Sequence, residues 1–188
     1  MKDLSLHILD LVQNSVSAGA TRITVGIKAD TAGRILRISI GDDGAGMDRE
    51  LLERVKDPFT TTRTTRRVGL GIPLMQAAAE RSGGRLEIAS EKGRGTLVDA
   101  YFGMDNIDRP PLGDVAGTIF QLMASEASRQ LILELDNGAE VCRFDSSEIR
   151  KQLGEVPVTE YSVMNWIMEY LNEEIKVIFG GVLNEVDR

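Results

Sequence analysis

From Thr21 to Lys28 apolar and polar residues alternate, with Ile23, Val25 and Ile27 set against Arg22, Thr24 and Lys28. Arg34 to Ile40 repeats the pattern with Leu36, Ile38 and Ile40. A period of two belongs to a strand with one buried face, and Ala32-Gly33 supplies a turn between the pair. Ser5 to Ala18 has a helical period instead: Leu4, Ile8, Leu11, Val12 and Ser15 fall near one face, and Gly19 is placed to end the helix. Asp48 reads as the N-cap of a short helix, with Met47 and Leu52 spaced as a hydrophobic staple. Residues 57–69 are rich in Thr and Arg without periodicity and predict a mobile loop. Leu70 to Arg81 is helical, since Pro73 fits a first turn and Gly83-Gly84 closes the segment. Arg85 to Ala89 and Thr96 to Phe102 read as two more strands around a Lys92–Gly95 turn.

Asp105 to Gly113, with Pro110-Pro111, has the composition of a linker. The expected organisation is a domain over 1–104, a linker over 105–113 and a small acidic α+β region over 114–188. In that region Asp114 to Ser125 predicts a helix. Gln130 to Leu135 and Ala139 to Phe144 flank Asn137-Gly138, a strong hairpin signal. Asp145 with Glu148 resembles a capping box before a helix to Leu153. Thr159 to Asn172 reads as a second helix and Ile175 to Phe179 as a last strand. Hairpins join the strands of the first part, so its sheet is expected to be largely antiparallel.

Charge sharpens the division. The chain of 188 residues carries −7 overall, yet residues 1–104 carry a small positive excess and the whole of the net negative charge lies in 105–188. An acidic C-terminal part argues against nucleic acid as a partner. Apolar residues at 42% suit a soluble globular chain, and no apolar run is long enough for a membrane span. The N-terminus shows no signal-peptide pattern, and a lone cysteine, Cys142, cannot form an internal disulfide, so a cytoplasmic protein is expected. On its hairpin strand Cys142 reads as a small apolar filler. One histidine, His7, and one cysteine exclude a zinc site of the usual composition.

Polar residues concentrate in places where packing does not require them. Asp10 and Asn14 lie one helical turn apart, and a carboxylate beside an amide oxygen suits a water and a hard cation such as Mg²⁺. His7 shares that face, where both a site role and a structural role are open. Asp42-Asp-Gly-Ala-Gly46 follows a strand directly. A carboxylate there can accept from an exocyclic amine, while Gly44 and Gly46 let a flat ring approach the backbone. Val68-Gly-Leu-Gly-Ile72 enters a helix, where free N–H groups suit phosphate oxygens. Each signal is weak alone.

Their order and spacing are specific. The chain resembles the GHKL ATPases, the group of gyrase B subunits, large heat-shock chaperones, MutL mismatch-repair proteins and histidine kinases. Asp10-Leu-Val-Gln-Asn-Ser-Val-Ser-Ala-Gly-Ala-Thr21 resembles the N box, closest to the MutL version, and Asp42 to Gly46 the DxGxG box. Asp57-Pro-Phe-Thr-Thr-Thr-Arg63 and Gly69-Leu70-Gly71 are similar to a kinase-type ATP lid and second glycine box. Gly95-Thr96 resembles the closing threonine motif. Residues 105–188 resemble no family.

The resemblance implies a Bergerat fold, a two-layer α/β sandwich of α+β class whose mixed, mostly antiparallel sheet carries helices on one face. It implies ATP and Mg²⁺ as cofactors. Asn14 is then the metal ligand, and Asp42 the partner of the adenine amine, with Thr96 supporting a shared water. Gly44 and Gly46 lie against the base, Gly69, Leu70 and Gly71 along the phosphates, and Thr61, Thr62 and Arg63 on the lid. Asp10 stands where the ATPase subfamilies carry a Glu that activates water, and Arg67 and Val68 replace the start of the usual GxGLG run. The reading is a regulatory ATPase with slow hydrolysis. The alternatives are a protein kinase (a serine kinase of anti-sigma type or a detached histidine-kinase catalytic domain) and a nucleotide-dependent binding module without turnover. A protein partner is expected through 105–188, with a homodimer left open. Tyr161, Met164, Trp166, Ile167, Met168, Tyr170 and Leu171 give the 159–172 helix more apolar bulk than one face needs, and core burial is the favoured account.

Overall fold

The computed structural model describes residues 3–55 and 70–183. The alternating segments form strands β1 (Arg22–Asp30) and β2 (Ile35–Asp42), and the helical segment before them forms α1 (Leu4–Ser17). Asp3 caps α1 by accepting from the Leu6 N–H at 3.0 Å, and Gly19, at φ +76°, turns the chain out of it. A short α2 (Arg49–Arg54) follows its Asp48 cap. After it come α3 (Gly71–Arg81), β3 (Arg85–Glu91), β4 (Gly95–Gly103), α4 (Val115–Ser125), β5 (Gln130–Asp136), β6 (Val141–Asp145), α5 (Ser146–Leu153) and α6 (Tyr161–Phe179).

The strands make one six-stranded sheet in the order β3-β4-β2-β1-β5-β6. All pairs are antiparallel except β1 with β5, whose parallel register sets Val25 beside Leu133. The fold is therefore α+β with a mixed sheet, as the resemblance implies. Inward residues of β1, β2, β4 and β5, among them Val25, Ile38, Ala100 and Leu133, are fully buried beneath the helical layer. In that layer α3 packs on α1, α1 on α4, and α4 on α6.

Residues 105–183 share this sheet and core. Leu112, Ile119, Leu133, Phe144 and Leu171 belong to the same buried cluster as Leu4, Ile38 and Phe102. The 105–113 segment is also attached to the first part: Pro111 and Leu112 carbonyls accept from the Leu4 and Ser5 N–H groups at 2.8 and 2.9 Å, supplying partners to the first turn of α1.

One expected element differs. Ile175 to Phe179 is not a strand but the end of α6, which runs unbroken to Phe179. Ile175, Val177 and Phe179 alternate, but Leu171, Ile178 and Phe179 also fit the buried stripe that Val163 and Ile167 begin, and the helical period prevails. Cys142 is buried as a filler on β6.

Candidate functional site

Strand parity places the first carboxylate. Leu36, Ile38 and Ile40 point inward from β2, and Asp42 continues their face at the strand end. Its pairing partner is Thr96 on β4, which in turn pairs Ser90 on β3. A row of polar groups thus closes the inward face of the sheet where the apolar row stops.

Asp42 is held at both oxygens. Ser15 Oγ donates to Oδ2 at 2.6 Å and the Gly44 N–H donates to Oδ1 at 2.9 Å. Ser15 is buried on α1, and its single proton is committed to this carboxylate. Beside it, Ser90 Oγ donates to the Gly95 carbonyl at 2.9 Å and accepts from the Met47 N–H at 2.8 Å. Ser90 and Thr96 hydroxyls lie 2.9 Å apart. With the Ser90 proton spent on Gly95, Thr96 is the donor of that pair, and its lone pairs remain to accept. Neither serine belongs to a motif that marks it as a site residue. The signal was a serine on an apolar stripe for Ser15, and the inward parity of Leu86 and Ile88 for Ser90.

The glycines of this corner fit loops against one another. A Cβ on Gly46, at φ +61°, would stand 2.0 Å from the Glu91 carbonyl, and one on Gly95 would stand 1.9 Å from that of Asp42. The 42–46 loop and the β3–β4 turn therefore interlock, with the Gly93 N–H bonded to the Ala45 carbonyl at 2.7 Å. Gly44 is pressed against Ala18, whose Cβ would be 3.0 Å from an added Cβ. Asp43 accepts from the N–H groups of Thr21 and Arg22 and from the Thr21 hydroxyl, tying the loop to the entry of β1. These bonds hold its carboxyl below the usual range.

Asp10 and Asn14 lie on the exposed side of α1, beside the start of α3. An added Cβ on Gly71 would meet Asn14 Nδ2 at 3.3 Å and the Asp10 Cβ at 3.4 Å. Leu70 occupies the cap position of α3 and offers no capping side chain, and no other side chain among the described residues caps it. The start of α3, with its first-turn amides, therefore lies next to Asp10 and Asn14. Desolvation raises the Asp10 carboxyl above its ordinary value, against the opposing pull of the N-terminal charge. Thr61, Thr62, Arg63 and Gly69 lie outside the described residues.

His7, a further turn toward the start of α1, is buried, and Nδ1 has no partner among the described residues. Burial first, then the N-terminal and Arg81 charges, push its pKa down to about 4 against the pull of Asp3. No group of three or more His, Cys, Asp or Glu side chains that could hold a metal occurs among the described residues. A hard cation here needs oxygen ligands from another molecule, as a phosphate-bridging Mg²⁺ has.

A mixed sheet with helices over one face, an anchored carboxylate at a strand end and a bare helix N-terminus opposite define a two-layer sandwich of the Bergerat type. Residues 2–106 match the model of the histidine kinase-, DNA gyrase B- and HSP90-like ATPases, and the chain belongs to that family. It carries an ATP-binding module of that kind. Among curated proteins it is similar to the sensor histidine kinase ZraS of Escherichia coli (strain K12), 26% identical over 58% of this chain and 23% of the relative. Sensor histidine kinase AruS and sensor protein kinase FleS, both of Pseudomonas aeruginosa, are 35% and 37% identical, covering 47% and 48% of this chain and 10% and 22% of theirs. The chain thus spans less than a quarter of the length of these relatives. The N-terminal domain of a DNA repair protein shares the fold, with a TM-score of 0.54 and 14% identity over 76% of this chain and 52% of that one. No helix among the described residues is long and apolar enough to cross a membrane.

Proposed function

We propose that this chain is a regulatory protein that binds Mg²⁺-ATP and hydrolyses it slowly. The observation that carries the reading is the Ser15–Asp42–Thr96 corner: a carboxylate fixed at both oxygens beside a hydroxyl with acceptor capacity to spare. The adenine amine donates to Asp42, and Thr96 accepts from a water shared with that carboxylate. Gly44 and Gly46 keep the adjoining loop low enough for the base to lie against it.

The residues present fit the triphosphate and its metal. The Gly71 and Ile72 amides at the start of α3, before Pro73, suit phosphate oxygens, and Asn14 offers the amide oxygen that one coordination position of Mg²⁺ needs. Bound there, the metal neutralises charge on the phosphates. Asp10, one turn before Asn14, orients a water and accepts its proton. Its raised pKa suits a base that is easily protonated. Resemblance assigns Gly69 and Leu70 to the phosphate loop and Thr61, Thr62 and Arg63 to the lid, with Arg63 reaching the γ-phosphate.

A second reading is phosphotransfer to a protein partner. It is favoured by the names of the relatives, which are sensor kinases. Incubation with ATP labelled at the γ-phosphate separates the readings. Free labelled phosphate supports hydrolysis, and label on a partner protein supports kinase activity. Retained ATP with neither overturns both and leaves a binding module.

A further inference from the structure

Strand β6 forms one edge of the sheet. Among the described residues β6 pairs only with β5. The bond from the Asn137 N–H to the Glu140 carbonyl, 3.2 Å, closes the β5–β6 hairpin and sets the alternation of its ladder. Cys142 and Phe144 exchange bonds with β5, so the backbone groups of Val141 and Arg143 point outward. An edge of this kind is a template for pairing unless it is covered or blunted.

The helix above this edge presents apolar surface toward it. Tyr170 of α6 packs on Phe144 of β6, with ring centroids 6.4 Å apart, and Trp166 stacks on Tyr170 at 5.9 Å and 15°. Trp166 remains 50% exposed and Val177, on the same side of the helix, 59%. The core burial expected for the 159–172 segment holds for Ile167 and Leu171 but not for Tyr161 and Trp166, which stay outside.

Both flanks of the edge are acidic. On the helix side Glu169 and Glu173 are exposed and Glu174 half-buried beside the aromatic pair. On the opposite face of the sheet the Arg143 cation of β6 stands within 3.8 Å of Glu134 and Glu148 and 3.0 Å of Asp145, and Lys28 of β1 is 2.6 Å from Asp136. A second copy of this chain would bring the same carboxylates against themselves. We propose that β6 and α6 together form a docking site for an extended, cationic segment of another protein. It adds as a strand to β6, lays apolar side chains on Trp166 and Tyr170, and sets Lys or Arg against Glu169 and Glu173. The exposed ring faces also suit a cation.

The test uses the full chain and a labelled eight-residue peptide of alternating Lys and Val, with the Glu-Val peptide as its control. Fluorescence anisotropy should show binding of the Lys-Val peptide alone. Trp166→Ala should weaken it about tenfold, as expected of an aromatic anchor. Glu169→Lys with Glu173→Lys should weaken it similarly, and more so at low salt. Val141→Pro removes an amide that β5 does not use, so the fold stays intact by circular dichroism while binding falls. Hydrogen exchange should slow at Val141 and Arg143 on peptide addition. Equal binding of the Glu-Val peptide, no detectable binding of the Lys-Val peptide, or indifference to Val141→Pro and Trp166→Ala would each overturn the proposal. So would a concentration-dependent dimer that the same two variants abolish, which would make a second copy the occupant.

Discussion

Ser15 donates its hydroxyl proton to Asp42 across 2.6 Å, joining the buried face of α1 to the end of β2 over a separation of 27 residues. The bond fixes which way the carboxylate faces, and it makes the position of α1 part of the base site. Asp42→Asn turns one acceptor oxygen into an NH₂ facing the adenine amine. Loss of a charge-assisted bond should cost on the order of 1.5–3 kcal/mol of ATP affinity. Ser15→Ala leaves the carboxylate charged and still held at Oδ1 by the Gly44 N–H, and should lose less, about 1 kcal/mol. Calorimetry with ATP on both variants checks the order of the losses; full ATP affinity in Asp42→Asn would show that this carboxylate does not bind the base.

Much of this corner was legible in the sequence because strand parity is strict. Leu36, Ile38 and Ile40 alternate, so the direction of Asp42 follows from counting. Ser15 stood on the stripe with Leu4, Ile8, Leu11 and Val12, yet nothing in the chain told that its partner was 27 residues away. Parallel pairing of β1 with β5 was not legible for a related reason: no turn joins those strands, so no local signal records their contact. Residues 175–179 satisfied both the strand and the helix period, and only packing of Ile178 and Phe179 against the core decides between them.

A chain ending at Met104 should not fold on its own. It loses the Pro111 and Leu112 carbonyls that bond the first turn of α1, and exposes the β1 edge that β5 covers. It also loses Ile119, Leu122, Leu131, Leu133 and Leu135 from the core. Burying one such side chain contributes about 1.5–3 kcal/mol, and whole domains are stable by only about 5–15 kcal/mol. Insolubility, or unfolding without a cooperative transition, is the expected result. A soluble truncation that binds ATP would establish 1–104 as an independent domain.

Asn14→Ala tests the metal. Removing the amide oxygen should bring ATP affinity in Mg²⁺ down toward that in EDTA, with little change in EDTA itself. Retention of the full Mg²⁺ enhancement would assign the ligand elsewhere.

His7 should make the fold sensitive to acid. Its pKa is pushed down to about 4 in the folded chain, from an ordinary 6.5. The neutral form is therefore the one that fits, and its stabilising contribution is present above pH 6.5 and lost as pH falls toward 4. His7→Gln removes this dependence. Urea unfolding at pH 7.5 and 4.5 should show the native chain losing about 2 kcal/mol more than the variant. Equal losses would mean that His7 titrates normally.

Asp10 is where binding and turnover should separate. Attack on a γ-phosphate by water needs positioning more than covalent help. Asp is one carbon shorter than the Glu of the ATPase subfamilies, and misplacement by about 1 Å can cost about a hundredfold in rate. Asp10→Asn should bind Mg²⁺-ATP as before, because Asn14 and the Ser15–Asp42 pair are intact, yet lose whatever hydrolysis or phosphotransfer exists. Its stability offers a second readout. The raised carboxyl pKa means that the folded chain resists the ionised form, so the contribution of Asp10 to stability is largest in acid and declines as pH rises through that pKa. Asp10→Asn should therefore melt no lower than the native chain at pH 7, the signature of a residue kept for activity at some cost to stability. Asp10→Glu should raise basal hydrolysis if reach is the limit. Phosphate release, ATP binding and melting temperature would be measured in parallel on all three chains. Native-rate hydrolysis by Asp10→Asn would remove Asp10 from the reaction and leave nucleotide-dependent binding as the function of the site.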